Sequence, residues 1–140
     1  MKISKKTYYG LRAILALSQA NKSLSVHNLA ETEQLPEDYL EKIFQKLRRT
    51  GIVTAHKGVS GGYTLARKTA DMNVWEIFRT LDGPIKIVAP LKGRLPCLHV
   101  SHCQTNEVWR ILEKEIEKIL SKITIKQLIN SRNPHISTKT

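Results

Sequence analysis

Acidic residues are scarce in this chain: its 140 residues hold 12 Asp and Glu against 23 Lys and Arg, a net charge of +11. That imbalance points to a polyanionic partner, nucleic acid first. Cysteine is nearly absent. Cys97 and Cys103 are too few for a disulfide scaffold, and a domain of this size does not need one. No apolar run approaches the about 18–20 residues of a membrane span. The opening MKISKKTYYG lacks the apolar segment of a secretory signal, so a cytoplasmic location is expected. There is no Lys/Arg block long enough to be a mere basic tail, and no internal repeat. An enzyme finds little support. No phosphate-binding glycine loop is present, and the one Cys/His cluster lies in a loop with no base-orienting acid at readable spacing.

Hydrophobic residues make up 41%, enough for a packed core. The positive charge is uneven: residues 1–70 carry 12 basic against 5 acidic groups, and residues 71–140 carry 11 against 7. Ser4 or Thr7 caps a first helix to about Ala20, whose apolar positions Tyr8, Leu11, Ile14, Leu15 and Leu17 recur at helical spacing. Ser25 caps a second helix, Val26–Glu33. Gln34-Leu35-Pro36 makes a tight turn, with Pro36 expected at the first position of a third helix. That helix, Asp38–Arg49, buries Leu40, Ile43, Phe44 and Leu47 and turns a charged face outward. Short helix, tight turn and longer helix match a helix-turn-helix.

The stretch Ala55–Arg67, AHKGVSGGYTLAR, then reads as a hairpin with a basic, glycine-rich tip. Its strands are expected at Ile52–Ala55 and Tyr63–Ala66. Asn73 caps a fourth helix to about Leu81, ended by Asp82-Gly83-Pro84. Residues 85–104 show no period. From Thr105 a long helix carries a wide apolar stripe (Val108, Trp109, Ile111, Leu112, Ile116, Ile119, Leu120, Ile123) that must bury against the body or a partner helix. A short final helix, Ile125–Ile129, precedes a polar tail.

The expected fold is mainly α with a small β-hairpin: a winged helix-turn-helix plus a long C-terminal dimerisation helix. The expected organisation is a DNA-binding domain over 1–83, a sensor loop over 84–104, the dimerisation and final helices over 105–130, and a disordered tail over 131–140.

In such a fold, side chains near the start of the second helix of the motif reach base edges. Here these are Glu37, Asp38, Tyr39, Glu41 and Lys42. A carboxylate accepts from a cytosine amino group, and Tyr contacts phosphate or a thymine methyl. Glu37 also reads as a helix-terminus charge, and Tyr39 as a cover for the core edge. Lys46, Arg48 and Arg49 are placed for phosphates or for solvent. Lys57, between His56 and the cluster Gly58, Gly61 and Gly62, is placed for a phosphate or minor-groove contact. Ser25 is an N-cap whose helix end can also meet a phosphate.

The segments MKISKKTYYGLRAILALS, LPEDYLEKIFQKLRRTGIVTAHKGVSGGYTLAR, VWEIFRTLDGPI and VWRILEKEIEKILSKITIKQLI resemble a family of bacterial winged-helix regulators. That family includes the iron–sulfur cluster regulator, the nitric-oxide-sensitive repressor and the cysteine-metabolism repressor. The resemblance covers about residues 1–130. It implies a homodimer with crossed C-terminal helices, binding partly palindromic promoter DNA, with repression the expected sign. It also implies base reading by Asp38, Tyr39 and Glu41. Lys57 stands where many members have an arginine.

Members that hold an iron–sulfur cluster usually carry three cysteines in the loop plus a fourth ligand. Cys97 and Cys103 match the second and third. The first would fall near Pro90 or Leu91 and is absent. The fourth-ligand positions carry Asn106, or Tyr8 and Arg12 on the first helix. His99 and His102, in CLHVSHC, are further candidate ligands, since thiolate and imidazole together can hold a [2Fe–2S] cluster or zinc. Cluster binding, thiol–disulfide sensing, and a loop that senses neither stay open. So does a protein-interaction adaptor without a cluster.

Overall fold

A computed structural model describes residues 2–88 and 104–131. In chain order it contains α1 (Lys5–Gln19), α2 (Val26–Glu33), α3 (Glu37–Arg49), β1 (Val53–His56), β2 (Gly62–Leu65), a 3₁₀ turn (Thr69–Asp71), α4 (Val74–Asp82), α5 (Gln104–Lys122) and α6 (Ile125–Asn130). The expected mainly α fold with a small β-hairpin is the one observed.

The helix starts follow the capping residues. Ser4, Ser25, Asn73 and Thr124 each accept a backbone N–H from the first turn of α1, α2, α4 and α6. Each such cap stabilises its helix by about 1 kcal/mol. Thr124 and Gln127 complete a reciprocal capping box. Pro36 departs from expectation. It is the N-cap of α3, at φ −62° and ψ 121°, not its first helical residue. A proline side chain has no acceptor for the free N–H groups, so Glu37 and Asp38 in the first turn complement the helix dipole instead. The turn before it closes on Gln34, a left-handed residue at φ 53°. Leu35 N–H there bonds back to the Ala30 carbonyl at 2.9 Å.

β1 and β2 pair antiparallel, with Val53 opposite Leu65 and His56 opposite Gly62. Each strand is shifted by one residue toward the tip side of expectation, because Ile52 is still held by Leu47, its N–H 2.9 Å from that carbonyl. Gly51, at φ 73°, makes the reversal between α3 and β1. An isolated antiparallel bridge extends the two-stranded hairpin. Leu24 and Tyr63 exchange backbone hydrogen bonds of 3.1 and 2.7 Å, fastening the wing to the residue before the Ser25 cap.

The core lies where α1, α2, α3 and α4 meet. Ile14, Leu29, Leu40, Ile43, Phe44, Leu47, Met72 and Ile77 are buried there. α6 returns to this same core. Ile125 is 0% exposed, its N–H bonds to the Met72 carbonyl at 2.9 Å, and Val74 N–H bonds to the Ile123 carbonyl at 2.9 Å. α5 differs from every other helix, since none of its residues is buried.

Candidate nucleic-acid interface

The spacing of Leu40, Ile43, Phe44 and Leu47 fixes which side of α3 faces solvent, because all four are buried. The rest of the helix is therefore outward. Asp38, Glu41, Lys42, Lys46, Arg48 and Arg49 are all exposed. Their side chains make no ion pair or hydrogen bond with any described residue, so each is free to meet a ligand. Charge runs along the helix in order. Glu37, Asp38 and Glu41 occupy its start, and Lys42, Lys46, Arg48 and Arg49 its end. Tyr39 is only half-exposed. Its ring meets Tyr9 of α1 edge-on, with centroids 5.8 Å apart, so it spends part of its surface on the core edge.

The wing stands on the N-terminal end of α2. A Cβ on Gly62, whose φ is +152°, would lie 2.7 Å from the Ser25 nitrogen and closer still to the Leu24 carbonyl. Glycine here is what lets the hairpin dock against the capped start of α2. Gly61 has a different job. Its N–H bonds to the Gly58 carbonyl at 2.9 Å, and a Cβ there would sit 2.8 Å from the His56 carbonyl. The tip is tied down further by Ser23, whose hydroxyl donates to the Ser60 carbonyl at 2.6 Å. Lys57 and Val59 project from this braced tip, both exposed. The His56 ring nitrogen Nε2 lies 2.8 Å from Thr64 Oγ1 across the hairpin.

Ser25 accepts the Asn28 N–H at 3.0 Å and donates to Asn28 Oδ1 at 2.6 Å, so its side chain is engaged inside the cap. Ser25, Gly61, Gly62 and Lys57 thus gather at one end of the motif. Asp38, Tyr39, Glu41, Lys42, Lys46 and Arg49 lie along α3.

One residue at this surface has no signature in the sequence. His27, in the first turn of α2, places Nδ1 3.0 Å from Glu37 Oε2 at the start of α3, and Nε2 3.4 Å from Glu31 Oε1. The Glu37 hydrogen bond first, then the charges of Glu31 and Glu37, raise its pKa above the ordinary 6.5. Only the Glu31 spacing of one helical turn was visible in advance.

The candidate sensor residues Cys97, His99, His102 and Cys103 lie outside the described residues. Among the described residues no three His, Cys, Asp or Glu gather in a metal-binding group. The first helix adds no ligand. Arg12 is a cation held by Glu33 at 2.9 Å, and its guanidinium lies 5.9 Å from the Tyr8 ring centroid. The described residues thus add no ligand to the four candidates Cys97, His99, His102 and Cys103.

A helix-turn-helix with an outward, charged second helix and a braced basic wing defines a DNA-binding transcription regulator, not an enzyme. The chain belongs to the Rrf2 family, described as iron-dependent transcriptional regulators, whose family model matches residues 3–131. It is 30% identical over 131 residues to the HTH-type transcriptional regulator IscR of Vibrio atlanticus, covering 92% of this chain and 75% of that one. The fold is similar to that of CymR, the global cysteine regulator of B. subtilis, with a TM-score of 0.77 and 29% identity, covering 95% of this chain and 99% of that one. It is equally similar to T. potens IscR, with a TM-score of 0.77 and 32% identity, covering 95% and 89%. No described helix is long and apolar enough to cross a membrane.

Proposed function

We propose that the protein acts in the cytoplasm as a homodimeric repressor that binds partly palindromic promoter sites. The observation that carries the dimer is α5. Val108, Ile111, Leu112 and Ile119 are 55, 53, 44 and 51% exposed, an apolar face with no cover among the described residues. A second copy of the same helix is the cover that turns one reader into two. In this reading Asp38, Tyr39 and Glu41 touch base edges. Lys42, Lys46 and Arg49 hold phosphates. Lys57, carried by the Gly61–Gly62 turn, anchors the wing to the backbone or minor groove, and the α2 terminus at Ser25 meets a phosphate.

We assign the response to redox state or iron–sulfur status to the segment 84–104, through Cys97 and Cys103, with His99 and His102 as further donors. A cluster, when bound, would supply a change of charge and oxidation state to this segment. The route from it is supported at both ends. The Ile87 N–H donates to Glu113 Oε1 of α5 at 2.9 Å, and α5 starts at Gln104, directly after Cys103.

Two measurements test this reading. Enrichment of binding sites from a random duplex pool is expected to yield an inverted repeat bound by two copies; single half-sites bound by one copy would refute the dimer. Anaerobic purification is expected to give visible absorption and stoichiometric iron, both lost in Cys97→Ala and Cys103→Ala. A colourless, iron-free protein that still binds DNA would remove the cluster.

A further inference from the structure

The start of α3 poses an electrostatic problem. Glu37, Asp38 and Glu41 are exposed there, and no cation of α3 precedes Lys42. A helix end carrying three carboxylates is repelled by the phosphates that flank a groove. The structure places one compensating group beside it, on the neighbouring helix.

His27 spans the turn of the motif. Its two ring nitrogens face two different carboxylates, Glu37 of α3 at 3.0 Å and Glu31 of its own helix at 3.4 Å. A neutral imidazole has one N–H and satisfies one of these acceptors; only the imidazolium donates to both. Other charged groups do not replace it. Arg12 of α1 is occupied by Glu33, and the remaining acids on this side, Asp38 and Glu41 of α3, have the same sign as Glu37.

We propose that His27 is a positioning residue for DNA recognition: as the imidazolium it holds the Glu37 carboxylate at the start of α3 and offsets the acid that this helix end carries toward phosphates. The inference rests on α3 being the helix that enters the groove. When His27 loses its proton, one of the two carboxylates loses its donor and the DNA-facing surface becomes one charge more negative. DNA binding and protonation of His27 therefore favour each other. The ring lies between two carboxylates, which raise its pKa above the ordinary 6.5.

The test uses the full chain and a fluorescein-labelled duplex enriched on the wild-type protein from a random pool. Affinity is measured at about pH 6 and about pH 8. Between these, wild-type affinity is expected to fall about fivefold more than that of His27→Gln. Any contribution of His56, His99, His102 and His135 persists in that variant, so the difference isolates His27. His27→Lys, charged at both pH values, is expected to share the pH slope of His27→Gln and to bind more tightly than it at pH 8. Glu37→Gln is expected to bind more tightly than wild type at pH 8. Equal pH slopes in wild type and His27→Gln, or a His27→Lys variant as weak as His27→Gln at pH 8, would overturn the inference. Wild-type protein that binds no duplex at either pH would overturn the DNA-binding reading and this inference together. His27 and Glu37 are both exposed, and thermal melting confirms that each variant is folded.

Discussion

Gly10 of α1 and Leu81 of α4 meet so closely that a Cβ on Gly10 would overlap Leu81 Cδ1 and lie 3.3 Å from Ile43 Cγ2 of α3. Three helices cross at this one hydrogen. Gly10→Val is expected to lower stability by about 1–3 kcal/mol through overpacking. Chemical denaturation monitored by circular dichroism measures it. Because α3 is one of the displaced helices, the same variant is expected to lose DNA affinity as well.

Gly62 makes a second backbone approach, against the Leu24 carbonyl and the Ser25 nitrogen. Its φ of +152° adds a conformational penalty for any other residue. Gly62→Ala is expected to lift the wing from α2 by breaking the Leu24–Tyr63 pairing. The readout is faster amide hydrogen exchange at Leu24 and Tyr63, together with weaker DNA binding. The melting temperature is expected to change less than in Gly10→Val, since the wing lies outside the main core.

Lys57 extends from a tip held by the Ser23–Ser60 hydrogen bond. If it neutralises one phosphate, Lys57→Ala is expected to reduce the slope of log affinity against log salt by about one. Titrations of a duplex at several salt concentrations give that slope directly. An unchanged slope would remove Lys57 from the contact set.

The apolar face of α5 makes the dimer separable from the fold. Ile111 and Ile119 are each about half exposed in the protomer, at 53 and 51%. Ile111→Glu with Ile119→Glu is therefore expected to leave circular dichroism nearly unchanged while converting the protein to a monomer in sedimentation. DNA affinity for a two-half-site duplex is expected to fall about a hundredfold or more, the cost of losing the second attached reader.

His27 also makes stability depend on pH, with a defined sign. Its folded pKa is raised by Glu37 and Glu31. Its contribution is complete below the ordinary histidine value and disappears as pH rises through the raised one. The stability gap between wild type and His27→Gln is therefore expected to be widest below the ordinary histidine value and to close as pH rises past the raised one. Denaturation midpoints across that range measure it.

The elements that announce themselves by local chemistry were legible in the sequence. Ser25 and Asn73 cap helices where their hydroxyl and amide oxygens precede apolar spacing, and Gly51 stops α3. The face of α3 followed from Leu40, Ile43, Phe44 and Leu47. What escaped depends on partners distant in the chain. The Leu24–Tyr63 bridge is held by backbone groups that every residue possesses. The His27–Glu37 contact joins two helices across a turn whose geometry, with a left-handed Gln34, no spacing rule supplies. Tyr39 was legible as a residue of two uses, and the Tyr9 ring accounts for one of them. The placement of Ile125 in the central core had no signal at all, because a short apolar helix looks the same whether it docks near or far.

That last placement governs how the molecule could be taken apart. Bonds joining Ile123 and Ile125 to Val74 and Met72 sew the far end of the chain to the start of α4. A fragment cut after α4 would leave the Ile125 site as a hole in the floor of the core. The reading head is therefore not a detachable module to be grafted onto another sensor. Any rearrangement of this architecture has to carry head and arm together, and a nick between residues 122 and 125 threatens the grip on DNA as surely as a change in the wing.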